Sequence, residues 1–340
     1  MGEALEIAKV LVSPTMKLMD MVGSAIGTAY KPRHKRKMAD ASVYEINAVA
    51  EAMRNAVDMP IVYNKDGVAI NSEDFSRLMQ GAGTRLALQE TIKQHNIECV
   101  VDNAYAILEK EDLCSEEPVE QGWINRFFDS VADISDEDLQ TLWGRVLAGE
   151  IKQPKSYSLR TLETLKNLSK YEAELFRKLA PFVLREGNNY FLLSDTDILS
   201  KYNINYGEIL QLDECGLVNS GAGISLRLSV SNSNDAQIFN QSKMILLEGL
   251  SESVTVITIG DYNLTKAGIE LYNILDVLPN EQIINDVTEL IELMNPANIK
   301  MSVYKVKNIE NNKILYENAV LHEFPAKREK MLECESTTVL

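Results

Sequence analysis

A helix-period pattern running from Ser72 to about Lys110 constrains this chain more than any other feature. From Thr84 onward its stripe reads Leu88, Ile92, His95, Cys99, Asp102 or Asn103, and Ala106. Residues three and four apart share one helix face. Alternating charge occupies the other side. A helix of this length needs a partner for its stripe, so the pattern predicts an antiparallel helical pair or an oligomer seam, with packing inside the chain favoured. Leu88 and Ile92 are therefore expected in a helical core. Gly81 and Gly83 weaken the start of the helix and leave room for a break there.

Upstream, residues 3–12 read as a short helix stopped before Pro14. Residues 15–30 repeat Met19, Val22, Ile26 and Tyr30 at helical spacing, with Gly23 and Gly27 on the same face. Glycines four apart let another backbone approach closely. Only Lys17 and Asp20 are charged in that stretch. Lys31, Arg33, Lys35, Arg36 and Lys37 follow as a dense basic cluster. The plainer reading is a tightly packed helix and a solvated basic turn. The sharper one is an interfacial helix with a polybasic flank, each cation adding about 1 kcal/mol beside an anionic bilayer. A further helix is expected over 36–58, before Pro60 and Asp66-Gly67 break the pattern.

Charge then changes abruptly. Residues 111–150 hold 2 basic and 11 acidic side chains, while 151–185 hold 8 and 3. The acidic connector 111–122, which contains Pro118, reads as a domain boundary. Two helices, Trp123–Ala132 and Asp136–Ala148, come next, with Ser135 as the expected N-cap and Asp136, Glu137 and Asp138 at the positive helix end. The polar stretch Glu150, Lys152, Lys155, Ser156, Ser158, Arg160 and Thr161 leads into further helices at 158–168 and 170–186. Hydroxyls and cations at a helix N-terminus can form an anion site, although a salt-bridged connector is the preferred reading. Ser169 and Glu172 have the spacing of a capping box.

Residues 170–230 have a winged-helix-like order: helix, apolar run Tyr190–Leu193, short helices near 196–202 and 206–214, then a hairpin from Leu217–Val218 and Ile224–Val230 around Ser220-Gly221-Ala222-Gly223. The helix in the recognition position offers Glu208, Asp213 and Glu214 and no cation, which is the wrong chemistry for phosphates or base edges. A net charge of −16 likewise disfavours duplex DNA. Beyond, Met244–Leu247 and Val254–Ile259 are β-rich, Leu264–Leu275 and Asn280–Met294 read as helices, and Ile299–Val306 with Lys313–Val320 flank Asn311-Asn312 as a hairpin.

The expected architecture is mainly α with an α+β C-terminal part containing a small mixed sheet. Its divisions are a helical region with the basic segment (1–110), a central helical domain (111–186), a winged-helix-like and mixed domain (187–323) and a flexible tail (324–340). No catalytic constellation stands out, so an enzyme is the weaker expectation. His95 and Cys99 share a face, but two ligands do not make a zinc site. The acidic cluster at 133–138 is explained by helix capping. Neither metal nor cofactor is expected. Cys99, Cys114, Cys215 and Cys334 lie too far apart in sequence for a zinc motif and read as reduced thiols. No secretory signal or spanning segment is visible. The expected location is the cytoplasm, with peripheral membrane attachment as the alternative.

Within 121–176, QGWINRFFDSVADISDEDLQTLWGRVLAGEIKQPKSYSLRTLETLKNLSKYEAELF resembles an uncharacterised bacterial family, one of the domains of unknown function (twenty-eight-oh-six). IGTAYKPRHKRKMADA and RLALQETIKQHNIECVVDNA are similar to the N-terminal half of that family. The resemblance implies a bacterial or prophage source and carries no catalytic residues with it. It leads to the expectation of a non-enzymatic interaction protein of a bacterial defence or stress system, acting against phage. Its partner would be a host or phage protein, and a homo-oligomer is the further expectation. The alternatives are a membrane-acting effector using residues 15–37 and a winged-helix transcriptional regulator.

Overall fold

A computed structural model describes residues 11–26, 72–221, 225–275, 277–294, 296, 298–310 and 313–324. The chain divides into two compact units, Met1–Lys166 and Asn167–Leu340. The basic cluster Lys31, Arg33, Lys35, Arg36 and Lys37, together with Gly27, the helix read over 36–58 and the C-terminal tail, lies outside the described residues.

The first unit is helical. A two-residue strand β1 (Leu11–Val12) precedes α1 (Pro14–Ile26), and α2 spans Ser72–Leu108. A short β2 (Cys114–Ser115) pairs with β1. Then come α3 (Gln121–Val131), α4 (Glu137–Lys152) and α5 (Leu159–Asn167). The core gathers Leu18, Met21 and Val22 of α1, Val100, Val101, Ala104, Tyr105 and Leu108 of α2, and the apolar faces of α3 and α4. At its centre the Phe127 ring stacks on Trp123 at 5.0 Å and meets Trp143 edge-on at 5.4 Å. Such aromatic pairs add to the area they bury. Helices α2 and α4 cross closely at Gly144, where a Cβ would lie 2.5 Å from the Asn103 Cβ.

Three expectations change here. The N-cap of α4 is Asp136, not Ser135: one Asp136 carboxylate oxygen accepts the backbone N–H of Asp138 and Leu139, both at 3.1 Å. An ionised acceptor at a helix N-terminus also opposes the helix dipole, which a serine hydroxyl does not. The stripe on α2 is displaced as well. Leu88 is 61% and Ile92 49% exposed, and Ala106 is exposed, whereas Val100, Val101, Ala104 and Leu108 are fully buried. The buried face lies one residue out of phase with the stripe read from Leu88, and it begins only at Asn96. The helix is also unbroken at Gly81 and Gly83.

The second unit begins with α6 (Lys170–Leu179), closed at its start by the expected Ser169–Glu172 capping box. Pro181 sits in a 3₁₀ turn at 180–182, so the helix does not continue through Leu184. Strands β3 (Leu184–Glu186) and β4 (Asn189–Leu193) lead to α7 (Thr196–Lys201) and α8 (Tyr206–Glu214). Strands β5 (Val218–Asn219), β6 (Ser225–Val230), β7 (Ala236–Phe239), β8 (Lys243–Gly249) and β9 (Thr255–Leu264) follow. Helices α9 (Lys266–Tyr272) and α10 (Gln282–Met294) precede the long hairpin β10 (Ile299–Glu310) and β11 (Lys313–Phe324).

These strands overturn the expectation of a mainly α chain with a small mixed sheet. Strands dominate the C-terminal half and form one nine-stranded sheet, in the order β11-β10-β8-β7-β3-β4-β9-β5, with β6 also on β9. Every pairing in it is antiparallel. The expected wing hairpin is absent: β5 and β6 do not pair with each other, and each takes a different stretch of β9. The physical reason is length. A two-residue β5 offers too little ladder to hold β6, while β9 presents ten residues to its neighbours.

Strand β8 shows why its sequence is continuously apolar. Ile245 and Leu247 face a core completed by Ile283, Ile284, Val287 and Ile291 of α10. Met244 and Leu246 face a second cluster with Phe239 and Val306. Burial on both faces removes the polar alternation of a half-exposed strand.

Candidate functional site

Three regions of the described residues concentrate polar side chains or exposed apolar ones. The first is the loop 150–161. Glu150 is buried, and its two carboxylate oxygens accept the backbone N–H of Lys155 at 2.6 Å and of Tyr157 at 3.0 Å. Lys155 itself has φ 71°, a left-handed conformation that this carboxylate helps to hold. The Tyr157 carbonyl accepts the Trp123 indole N–H at 2.9 Å, tying the loop to the aromatic core. The Lys152 ammonium donates to Glu111 and that of Lys155 to Glu117, both at 2.6 Å. Glu117 thereby holds the Lys155 ammonium above its ordinary pKa. Ser156 donates to the Gln153 carbonyl at 2.6 Å. The Ser158 oxygen accepts the Thr161 N–H at 3.3 Å, and the two hydroxyls share a 2.9 Å bond. Thr161 is fully buried, and Arg160 is exposed. The loop's donors and acceptors therefore serve its own conformation.

Lys17 completes this region, and the sequence reading had assigned it no role. Its ammonium donates to the carbonyls of Ser115, Glu117 and Ile151 at 2.8, 2.7 and 3.0 Å. Desolvation pushes its pKa below the usual lysine range, opposed by Cys114, Glu117 and Glu150. As one of only two charged residues in residues 15–30, Lys17 was itself the available signal. In α1, Leu18, Met21 and Val22 turn inward and Gly23 is half-buried, so this helix spends its apolar face on the protein core. Met16 of the same helix stands 64% exposed. Among the described residues no helix is long and apolar enough to cross a membrane.

The second region locks α7 to α10. Asp286 is buried and accepts the Lys201 ammonium at 2.5 Å and the Tyr202 hydroxyl. Burial, then the Asp286 hydrogen bond, raise the Tyr202 phenol well above its ordinary pKa. Helix α8 spends its acids similarly: Glu208 pairs with Lys178 at 2.6 Å, and Asp213 accepts from Ser220. Among the described residues, no three Cys, His, Asp or Glu side chains gather in a group able to hold a metal, and Cys99 has His95 as its 3.7 Å neighbour.

The third region is the first half of α2. Arg77, Leu78, Gly81, Ala82 and Arg85 line a shallow depression of about 470 Å³. Leu78 is 69% exposed, and Met79, Leu86, Leu88 and Ile92 are exposed with it. A Cβ at Gly81 or Gly83 would meet nothing within 4 Å. Glycine inside an exposed helix costs roughly 1 kcal/mol relative to alanine, and no internal contact here requires it. The result is a hollow floored by Gly81 and Ala82, edged by Leu78 and bracketed by two guanidinium groups. Two arginines eight apart around a glycine were its signal in the sequence, hidden behind the stripe from Leu88.

No curated protein and no solved structure matches the chain. The model of one family, described as "Protein of unknown function (DUF2806)", matches residues 80–288. That match covers more than half of the chain and runs from α2 into α10, so the chain belongs to this family.

Proposed function

We propose that this member of the DUF2806 family is a non-enzymatic interaction protein, and that the first half of α2 is its partner-binding face. One observation carries the reading: large apolar side chains stand exposed on a helix around a hollow bracketed by Arg77 and Arg85. Exposed apolar clusters edged by polar groups mark interaction surfaces, and arginine forms bidentate bonds with carboxylates. The occupant this chemistry suits is an amphipathic helix of a partner protein, with an apolar anchor over Gly81 and Ala82 and acidic residues towards the arginines. The polar loop at 150–161 supports a non-catalytic reading, because its carboxylate and its hydroxyls serve loop conformation.

The sequence resemblance suggests a bacterial, prophage-encoded defence or stress system as the setting, with a host or phage protein as partner and the cytoplasm as location. The test uses tagged full-length chain in cells challenged with phage. The parent should protect the cells and capture a protein. Leu78→Glu with Leu88→Glu should keep the parent's melting temperature, lose that protein and lose protection. Protection retained by this variant would overturn the reading.

A further inference from the structure

The far edge of the sheet carries a different surface. Strand β11 is the end strand of the nine, and twelve residues is long for an edge. An edge strand presents a row of backbone N–H and C=O groups to any other strand. Proteins commonly blunt such edges with charges, prolines or short length. Here the middle of the strand exposes Leu315, Tyr316, Val320 and Leu321, each between 36% and 52% exposed. Successive side chains alternate between the two faces of a sheet, so the two adjacent pairs place apolar surface on both faces.

The arrangement is symmetric about Asn318. Antiparallel pairing of β11 with itself, centred there, sets Leu315 against Leu321 and Tyr316 against Val320, so every exposed large apolar residue of the strand meets another. Apolar pairs across a ladder are favourable cross-strand combinations. Moving the centre by half a residue weakens the match: towards the C-terminus Glu317 falls opposite Val320, and towards the N-terminus Tyr316 falls opposite Ala319.

A second observation concerns the other edge of β11. Tyr316 pairs with Val306 and Val320 with Tyr304, so 317–319 stand against the single residue Lys305 of β10. The register supplies no regular β10 partner to these three residues, at the very centre of the symmetric segment. These groups face β10, so a strand added at the free edge does not reach them; the irregularity bends β11 locally and carries no part of the outer pairing.

We propose that β11 is a homodimerisation edge: two copies of this chain pair their β11 strands antiparallel about Asn318, extending the sheet across a two-fold axis. Such an isologous contact closes on itself and builds no fibre. It is independent of the α2 face.

Sedimentation velocity on the full chain tests this, with charge complementation fixing the register. The parent should sediment as a concentration-dependent dimer. Leu315→Lys alone and Leu321→Glu alone should each sediment as monomers, since each dimer would set a charge against a leucine twice. Mixing the two variants should restore a dimer, because Lys and Glu then face each other at one pair and the native leucines at the other. A second readout is Asn318→Cys. Directly opposed residues have Cα atoms about 4.5–5.5 Å apart, within disulfide reach. Mild oxidation should yield a reducible dimer from this variant and none from the parent. A monomeric parent, a dimer indifferent to both substitutions, a mixture that stays monomeric, or an Asn318→Cys variant that does not cross-link would each overturn the proposal. Dimer formation only with an added β11-like peptide would assign the edge to a heterologous strand instead.

Discussion

The two halves of α2 belong to one unbroken helix and use similar residue types, yet they live in different environments. From Asn96 to Leu108 the helix is anchored: Val100, Val101, Ala104 and Leu108 are buried, and the Asn96 side-chain amide donates to the Ala132 carbonyl at 2.8 Å. From Arg77 to His95 its leucines and Ile92 stand in solvent. Periodicity reports that a helix has a preferred face; it does not report whether anything covers that face. Coverage is a tertiary fact, set here by α4 crossing the second half at Gly144.

Substitutions can break or sharpen this contrast. The largest effect is expected at the anchored end, where Leu108→Ala should lower unfolding stability by about 2–5 kcal/mol in urea titration, through lost transfer energy and a cavity. A loss below about 1 kcal/mol would mean that this end is not core. Gly144→Ala should come next, at about 1–3 kcal/mol, because its methyl meets Asn103 and the α2 backbone at van der Waals overlap. Lys17→Met should cost about 1–2 kcal/mol by leaving three carbonyls without their donor, whereas the exposed Lys152→Met should cost at most about 1 kcal/mol. At the small end, Gly81→Ala should raise stability by up to about 1 kcal/mol, read as a higher melting temperature, while weakening partner capture by filling the hollow. A destabilised Gly81→Ala would show that the first half is packed after all.

Legibility in the sequence followed the same division between local and distant causes. The capping box at Ser169, the helices at 206–214 and 282–294 and the hairpin around Asn311-Asn312 rest on neighbours within a few residues, and each could be read directly. The continuous run Met244–Leu247 reads directly as a strand, and its burial on both faces comes from the structure. By contrast, β3 and β7 are three and four residues long and gain their identity from pairing, Arg185 with Phe239 among others. The glycine-rich turn after β5 has the look of a wing tip, but the partner of both flanking strands is β9, well beyond them in sequence. Sheet order is a non-local property, and this is why the sequence suggests a winged-helix-like segment and a small mixed sheet where one nine-stranded sheet forms. Within the candidate site, Arg77 and Arg85 are legible as a pair only once the depression at Gly81 is known.

The central claim is that α2 changes role at Asn96, from partner face to core. Its most direct test is the unfolding free energy of the full chain carrying Leu88→Glu and Ile92→Glu together. Two exposed sites should leave it within about 0.5 kcal/mol of the parent. A loss of 2 kcal/mol or more would place both side chains in the folded core and contradict the account.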